Sequence, residues 1–244
     1  MLLLTSCIQK AIESVIPQKD YKAVQVEKVK SIAIVAFDVM QFQPTGVGSK
    51  ISGHFATAQM ASNMDPVENE LAADAYGYLA DQFKAKKVRV ISYSQIASNA
   101  NYKTIFEVRR HDQKEKMGAN HFQKPFVVKG ILRPTNADYL LTADQIKTLG
   151  KELGVDAVVL ARVSYTSQQR DFLGLGIANI YLRSDLVFSM FETAKGQKIW
   201  FDRGFLGTAS DESIGKVSGM ENPETIQKLN RSIAQKTIEN FFKR

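Results

Sequence analysis

Two short runs, Ile32-Ala33-Ile34-Val35-Ala36-Phe37 and Ala157-Val158-Val159-Leu160-Ala161, carry no polar side chain. Runs of that length, too short for a membrane span and bounded by polar residues, read as strands buried inside a sheet. A strand without a polar face needs cover on both sides, so the rest of the chain must supply helices. Helix signals are present in the right places. Asp65-Pro66-Val67-Glu68 predicts a helix start, with Asp65 as cap, Pro66 at the first helical position and Glu68 at capping-box spacing. Val67, Leu71, Ala75, Leu79 and Phe83 then recur every four residues as one apolar stripe. Lys84, Lys86 and Lys87 suit the negative end of that helix.

The remaining elements follow from the same rules. Residues 88–91 predict a strand, 94–98 a short helix and 126–132 another strand. Thr142-Ala143-Asp144-Gln145 has a second capping-box spacing, with Ile146, Leu149 and Leu153 on one face and Gly154 as the stop. Residues 155–163 and 179–191 predict strands. Thr193-Ala194-Lys195-Gly196-Gln197 predicts a hairpin turn, with Gly196 taking a positive φ. The returning strand starts at Lys198 and is expected to run to about Ala209. A last helix starts at Asn222-Pro223 and buries Ile226, Leu229, Ile233 and Phe241. The order β-α-β-α-β-α-β-β-β-α predicts an α/β fold with one mixed sheet flanked by helices. Residues 31–244 read as a single domain carrying long loops at 39–64 and 101–135. Within the second loop, 101–120 reads as a surface helix or an excursion over the domain.

The chain has one cysteine, Cys7, which excludes an intrachain disulfide and any thiolate metal cluster. Leu4-Thr5-Ser6-Cys7 resembles the lipobox of bacterial lipoproteins, in which small residues precede the cysteine that accepts a diacylglyceryl group. Met1 to Ser6 include no Lys or Arg, whereas a secretory signal has a basic start and an apolar core of about 7–15 residues. The lipobox reading therefore expects the rest of the signal upstream of Met1. On this reading, 1–7 is the end of a lipoprotein signal, Cys7 is the lipidation site and 8–30 is a tether. Buried acyl methylenes contribute about 0.8 kcal/mol each, so the expected attachment to the membrane is an anchor rather than a span.

The formal net charge is +7, and it is unevenly placed. Residues 101–133 hold eight Lys and Arg against three acids. Such a segment concentrates anionic partners, and Arg109, Arg110, Lys114 and Lys116 are the candidate contacts. A solvated surface explains the same charges. Phe172-Leu173-Gly174-Leu175-Gly176-Ile177 is an apolar, glycine-rich stretch between two predicted strands. Phe172, Leu173 and Leu175 make it a candidate contact loop, since exposed apolar patches mark interfaces; the alternative is a loop tucked into the core.

Motifs for catalysis are missing. His54, His111 and His121 do not have the spacing of a helical zinc pair, and neither H-E-x-x-H nor C-x-x-C occurs. Gly174-Leu175-Gly176 lacks the third glycine of a dinucleotide fingerprint, and no G-x-S-x-G elbow is present. The expectation is a protein that is not an enzyme and that uses no metal or cofactor.

Three strings resemble one superfamily, that of the TolB N-terminal domain, the curli-secretion lipoprotein CsgG and the penicillin-binding-protein activator LpoB. Ile32-Ala33-Ile34-Val35-Ala36-Phe37 is similar to its first strand. Leu149-Gly150-Lys151-Glu152-Leu153-Gly154-Val155-Asp156-Ala157-Val158-Val159 is similar to its helix-to-strand step. Phe191-Glu192-Thr193-Ala194-Lys195-Gly196-Gln197-Lys198-Ile199-Trp200 is similar to its hairpin. The resemblance covers 31–38, 65–100 and 142–242, and it implies a non-catalytic binding, assembly or secretion accessory lipoprotein of the bacterial envelope. It further implies a periplasmic-side location, at the outer membrane before the inner. Expected partners are the membrane, through the lipid on Cys7, other envelope proteins and a second copy of the chain; nucleic acid is disfavoured. The competing readings are a soluble basic nucleic-acid binder and a periplasmic enzyme without a recognisable motif. The likeness constrains fold more than function, because Gly154 and Gly196 serve turns that any α/β protein could need.

Overall fold

A computed structural model describes residues 18–42, 67–115, 123–134, 141–171, 178–216, 219–220 and 223–243. In chain order these are β1 (Gln18–Tyr21), α1 (Ala23–Glu27), β2 (Ser31–Phe42), β3 (Val67–Glu68), α2 (Glu70–Ala85), β4 (Arg89–Val90), α3 (Tyr93–Ser98), α4 (Ala100–Glu115), β5 (Gln123–Val127), α5 (Ala143–Leu153), β6 (Ala157–Asp171), β7 (Ala178–Glu192), β8 (Lys198–Lys216), β9 (Gly219–Met220) and α6 (Pro223–Phe242). The strands form one mixed sheet in the order β1-β8-β7-β6-β2-β5-β3, with β4 beside β2 and β9 beside β8. Helices flank it, as the strand and helix periods predict.

The two polar-free runs are neighbours at the centre. β2 lies parallel to β6, with Ile32 opposite Ala157 and Ile34 opposite Val159. Every residue from Ile32 to Phe37 is completely buried, so β2 is covered on both faces. Its other edge is filled in three pieces: Ser31 and Ile32 pair with β4, Ala36 bridges to Leu132, and Asp38 to Phe42 pair antiparallel with β5. Helices α2 and α6 touch each other and cover one face. Phe37 meets Tyr76 of α2 edge to face at 5.7 Å, and the Tyr165 hydroxyl donates to the Asn230 carbonyl of α6 at 2.8 Å.

α5 has the expected ends. Thr142 and Gln145 form the capping box, and Gly154 closes the helix in the left-handed region at φ 60°. Gly196 takes φ 69° in the β7–β8 turn, where a Cβ would lie 2.6 Å from the Ala143 carbonyl oxygen. The turn therefore packs directly on the start of α5.

Several expectations need correcting. α2 starts after Asn69, whose side chain accepts from the Leu71 N–H at 2.8 Å, and not at Asp65. Val67 and Glu68 instead pair in parallel with Phe126 and Val127, so a non-local ladder overrides the local capping signal. Asp65 and Pro66 lie outside the described residues. The stripe Leu71, Ala75, Leu79 and Phe83 is buried as expected. The opening strand continues through Phe42, where a loop from Val39 was expected, because β5 and β6 pair with it there. β6 and β8 outrun their predicted ends for the same reason, since β7 pairs along both. The strand expected at 126–132 runs from Gln123 to Val127. The sheet also begins within the expected tether: Gln18 to Tyr21 pair with Arg203 to Trp200.

Candidate functional site

The segment between β1 and β2 shapes one pole of the molecule. The Lys22 N–H donates to the Ile199 carbonyl at 2.9 Å, and the chain then makes the five-residue helix α1, which buries none of its residues. It returns to the sheet through Asp156, whose Oδ2 accepts from the backbone N–H groups of Lys30 and Ser31 and from the Ser31 hydroxyl, each at 2.9 Å. This strap of chain borders two cavities, and Val29 lines both.

The first is an open cleft of about 660 Å³ between α1, α5 and the β7–β8 turn. Lys22, Lys28, Lys147, Lys151 and Lys195 line it, against Asp156 and Glu192. Lys147 is paired with Asp144 at 2.9 Å, and Lys22 donates to the Lys198 carbonyl. Lys28, Lys151 and Lys195 have no acidic partner among the described residues. Five lysines against two carboxylates, Asp156 and Glu192, leave the lining with an excess of positive charge. Like charges converging from three elements in a concave surface raise the local concentration of anions.

The second cavity, of about 530 Å³, has an aromatic wall made by Tyr21, Phe83, Trp200, Phe241 and Phe242, with Met190 beside them. Trp200 stacks on Phe241 at 5.1 Å and 11°, and Tyr21 stands edge-on to it at 5.0 Å. Lys30, Lys86, Lys87 and Glu27 line its polar side. Asp202, 2% exposed, also borders it and has its own interaction within the fold.

A third polar cluster is structural. Asp38 is completely buried and accepts from Arg133 Nε at 3.1 Å, Arg162 Nε at 2.7 Å and Arg162 Nη2 at 2.8 Å. Asp38 and Arg162 are register partners on β2 and β6, so they share a face of the sheet. Burial pulls the Arg133 guanidinium below its ordinary pKa, and Asp38 opposes that shift. Burial works against the charge on Arg162 too, but attraction and hydrogen bonds from Asp38 outweigh it and raise its pKa. Arg133 was counted in the sequence with the basic segment that faces anionic partners. It is instead 3% exposed and held by Asp38, one residue beyond the bridge of Leu132 to Ala36. On β7, burial raises the Asp185 carboxyl above the usual range, and Arg183 at 3.7 Å offsets part of that.

Of the candidate residues read from the sequence, Cys7, Lys116, Phe172, Leu173 and Leu175 lie outside the described residues. Arg109, Arg110 and Lys114 fall on α4, which settles the backbone of that segment as helical through Glu115. The exposed face at the start of α4 includes Lys103, Glu107 and Val108. The cleft lysines were not singled out in the sequence, because they come from three distant segments and form no run.

Among the described residues no three His, Cys, Asp or Glu side chains gather to hold a metal ion, and no helix is long and apolar enough to cross a membrane. The chain matches no known family model and no curated protein. A solved structure that it is similar to is a neuraminyllactose-binding hemagglutinin homolog from Helicobacter pylori. The two share 10% identity at a TM-score of 0.37, over 87% of this chain and 83% of that one.

Proposed function

We propose that this protein is a lipoprotein of the bacterial envelope, anchored through Cys7, whose α/β domain works by binding anionic and protein partners rather than by catalysis. The observation that carries the reading is the lysine cleft beside α1: three of its cations have no acidic partner among the described residues, so an external anion can complete them. The lipobox-like Leu4-Thr5-Ser6-Cys7 supplies the anchor. Gln18 is the eleventh residue after Cys7, and eleven residues span at most about 36–40 Å when extended. That tether keeps the domain near the membrane surface. The strings shared with the TolB N-terminal, CsgG and LpoB superfamily support an accessory or assembly role, at the outer membrane before the inner.

Metabolic labelling with a clickable fatty acid tests the anchor. Label is expected on the protein made with its full signal and lost in Cys7→Ser; equal label in both refutes it. Liposome binding at two salt concentrations tests the cleft. Reversing Lys28, Lys151 and Lys195 to Glu should weaken binding to anionic vesicles at low salt, with the difference shrinking as salt screens the wild type. The same assay on Arg109, Arg110, Lys114 and Lys116 reversed to Glu decides whether that basic segment shares that role. Unchanged binding by the cleft variant at low salt overturns the reading.

A further inference from the structure

We infer that the aromatic cavity is a binding site for a single amphiphile bearing an anionic head on an unbranched acyl chain. The inference goes beyond the anchored binding role and does not depend on lipidation of Cys7. A cavity of about 530 Å³ falls within the roughly 300–1,000 Å³ usual for small-molecule sites. Its wall suits a chain of methylenes: Phe83, Met190, Trp200, Phe241 and Phe242 offer ring faces and a thioether, with no hydrogen-bonding carboxylate or amide among them. Tyr21, 45% exposed, closes the outer side from the strap that leads into α1.

The head-group chemistry comes from the lysines that also line the cavity. Lys30, Lys86 and Lys87 stand there against one exposed acid, Glu27. Lys86 and Lys87 form no ion pair among the described residues. The backbone at Lys87 is a second and independent observation. α2 closes with the Lys87 N–H on the Lys84 carbonyl at 2.8 Å and the Val88 N–H on the Phe83 carbonyl at 3.0 Å, which places Lys87 in the left-handed region at φ 63°. Glycine is the low-strain residue at that position of a helix end, and Lys87 is the one non-glycine residue with a positive φ among those described. A lysine stands at this helix end, where glycine is the low-strain choice, and lines the apolar cavity, so its amine is within reach of a carboxylate or phosphate on the end of a bound chain. Glu27 and Asp202 are two acids against the three lysines in the lining, so the cavity keeps an excess of positive charge.

Trp200 is the protein's single tryptophan and lines the cavity, so its emission reports occupancy directly. The full chain is titrated with sodium laurate and with dodecyl phosphate below their micelle concentrations, with dodecyl maltoside as the neutral control. Laurate and dodecyl phosphate are expected to shift Trp200 emission saturably, and dodecyl maltoside more weakly. Lys86→Ala with Lys87→Gly should weaken the anionic ligands about tenfold or more, the step of one charge-assisted hydrogen bond, and leave the neutral one unchanged. Both substitutions are at exposed positions, and glycine adopts the Lys87 backbone without strain, so the thermal melt of the variant should match or exceed the wild type. Vesicles of phosphatidylglycerol form the other arm. A response to vesicles but to no monomeric amphiphile assigns the face to a bilayer and overturns the cavity site. Equal affinity in the variant, equal response to the neutral amphiphile, or no response to any ligand overturns it as well.

Discussion

Replacing Asp38 by Ala should be among the most damaging single changes in the domain. The carboxylate is completely buried and is the shared acceptor of two guanidinium groups through three contacts of 2.7–3.1 Å. Removing it leaves Arg133, with 4% side-chain exposure, and Arg162, with 19%, facing each other without that anion. Arginine does not shed its proton under ordinary conditions, so the cluster has no way to neutralise itself. Removing one partner from a buried ion pair costs about 3–5 kcal/mol, against a total stability of about 5–15 kcal/mol for a typical domain. At about 2–4 °C per kcal/mol for a chain of this size, the melting temperature should fall by roughly 6–20 °C. Arg162→Met should cost less, because it leaves Asp38 paired with Arg133. Exchanging all three charges together, Asp38→Leu with Arg133→Met and Arg162→Met, should recover much of the loss, since well-packed apolar groups often replace a buried ionic cluster at little cost. Circular dichroism melts and urea titrations on the four proteins measure this. An Asp38→Ala change that costs under about 1 kcal/mol, or a triple variant no better than the single one, would refute the account of the cluster.

Two further outcomes follow from packing and backbone. Ile34 is completely buried on β2, so Ile34→Ala should cost about 2–5 kcal/mol by urea denaturation, whereas Lys114→Ala should leave the midpoint unchanged; coincident curves would contradict the central place of β2. Gly154 and Gly196 both have a positive φ, but only Gly196 has neighbours that a Cβ would strike, the backbone of Ala143 at 2.6–2.8 Å. Gly154→Ala should therefore cost about 1–2 kcal/mol for the left-handed backbone alone, and Gly196→Ala clearly more, with equal melting temperatures counting against the contact between the turn and α5.

What was legible in the sequence was whatever a short stretch determines by itself. The cap of α5 needs Thr142, Gln145 and Gly154, all within thirteen residues, and it folds as read. The hairpin needs only its turn and the alternation on each side. α2 was misplaced at its start because Val67 and Glu68 are claimed by β5, a strand more than fifty residues away, and no local rule contains that competition. Nothing local to Asp38 signals burial, since a carboxylate after an apolar run ordinarily marks the surface. Its burial depends on Arg133, 95 residues on, and Arg162, 124 residues on, and only the register of β2 against β6 brings the second of these alongside. The two cavities were invisible for the same reason. Tyr21, Phe83, Trp200 and Phe241 each satisfy the pattern of an ordinary core or edge residue in their own segment, and Lys28, Lys151 and Lys195 each look like solvated charge. A run of basic residues such as 101–133 draws the eye because the charges are close in sequence. A cleft acts on a ligand through charges that are close in space, and in this fold the packing of the β7–β8 turn on α5 and the strap around α1 bring them to one surface.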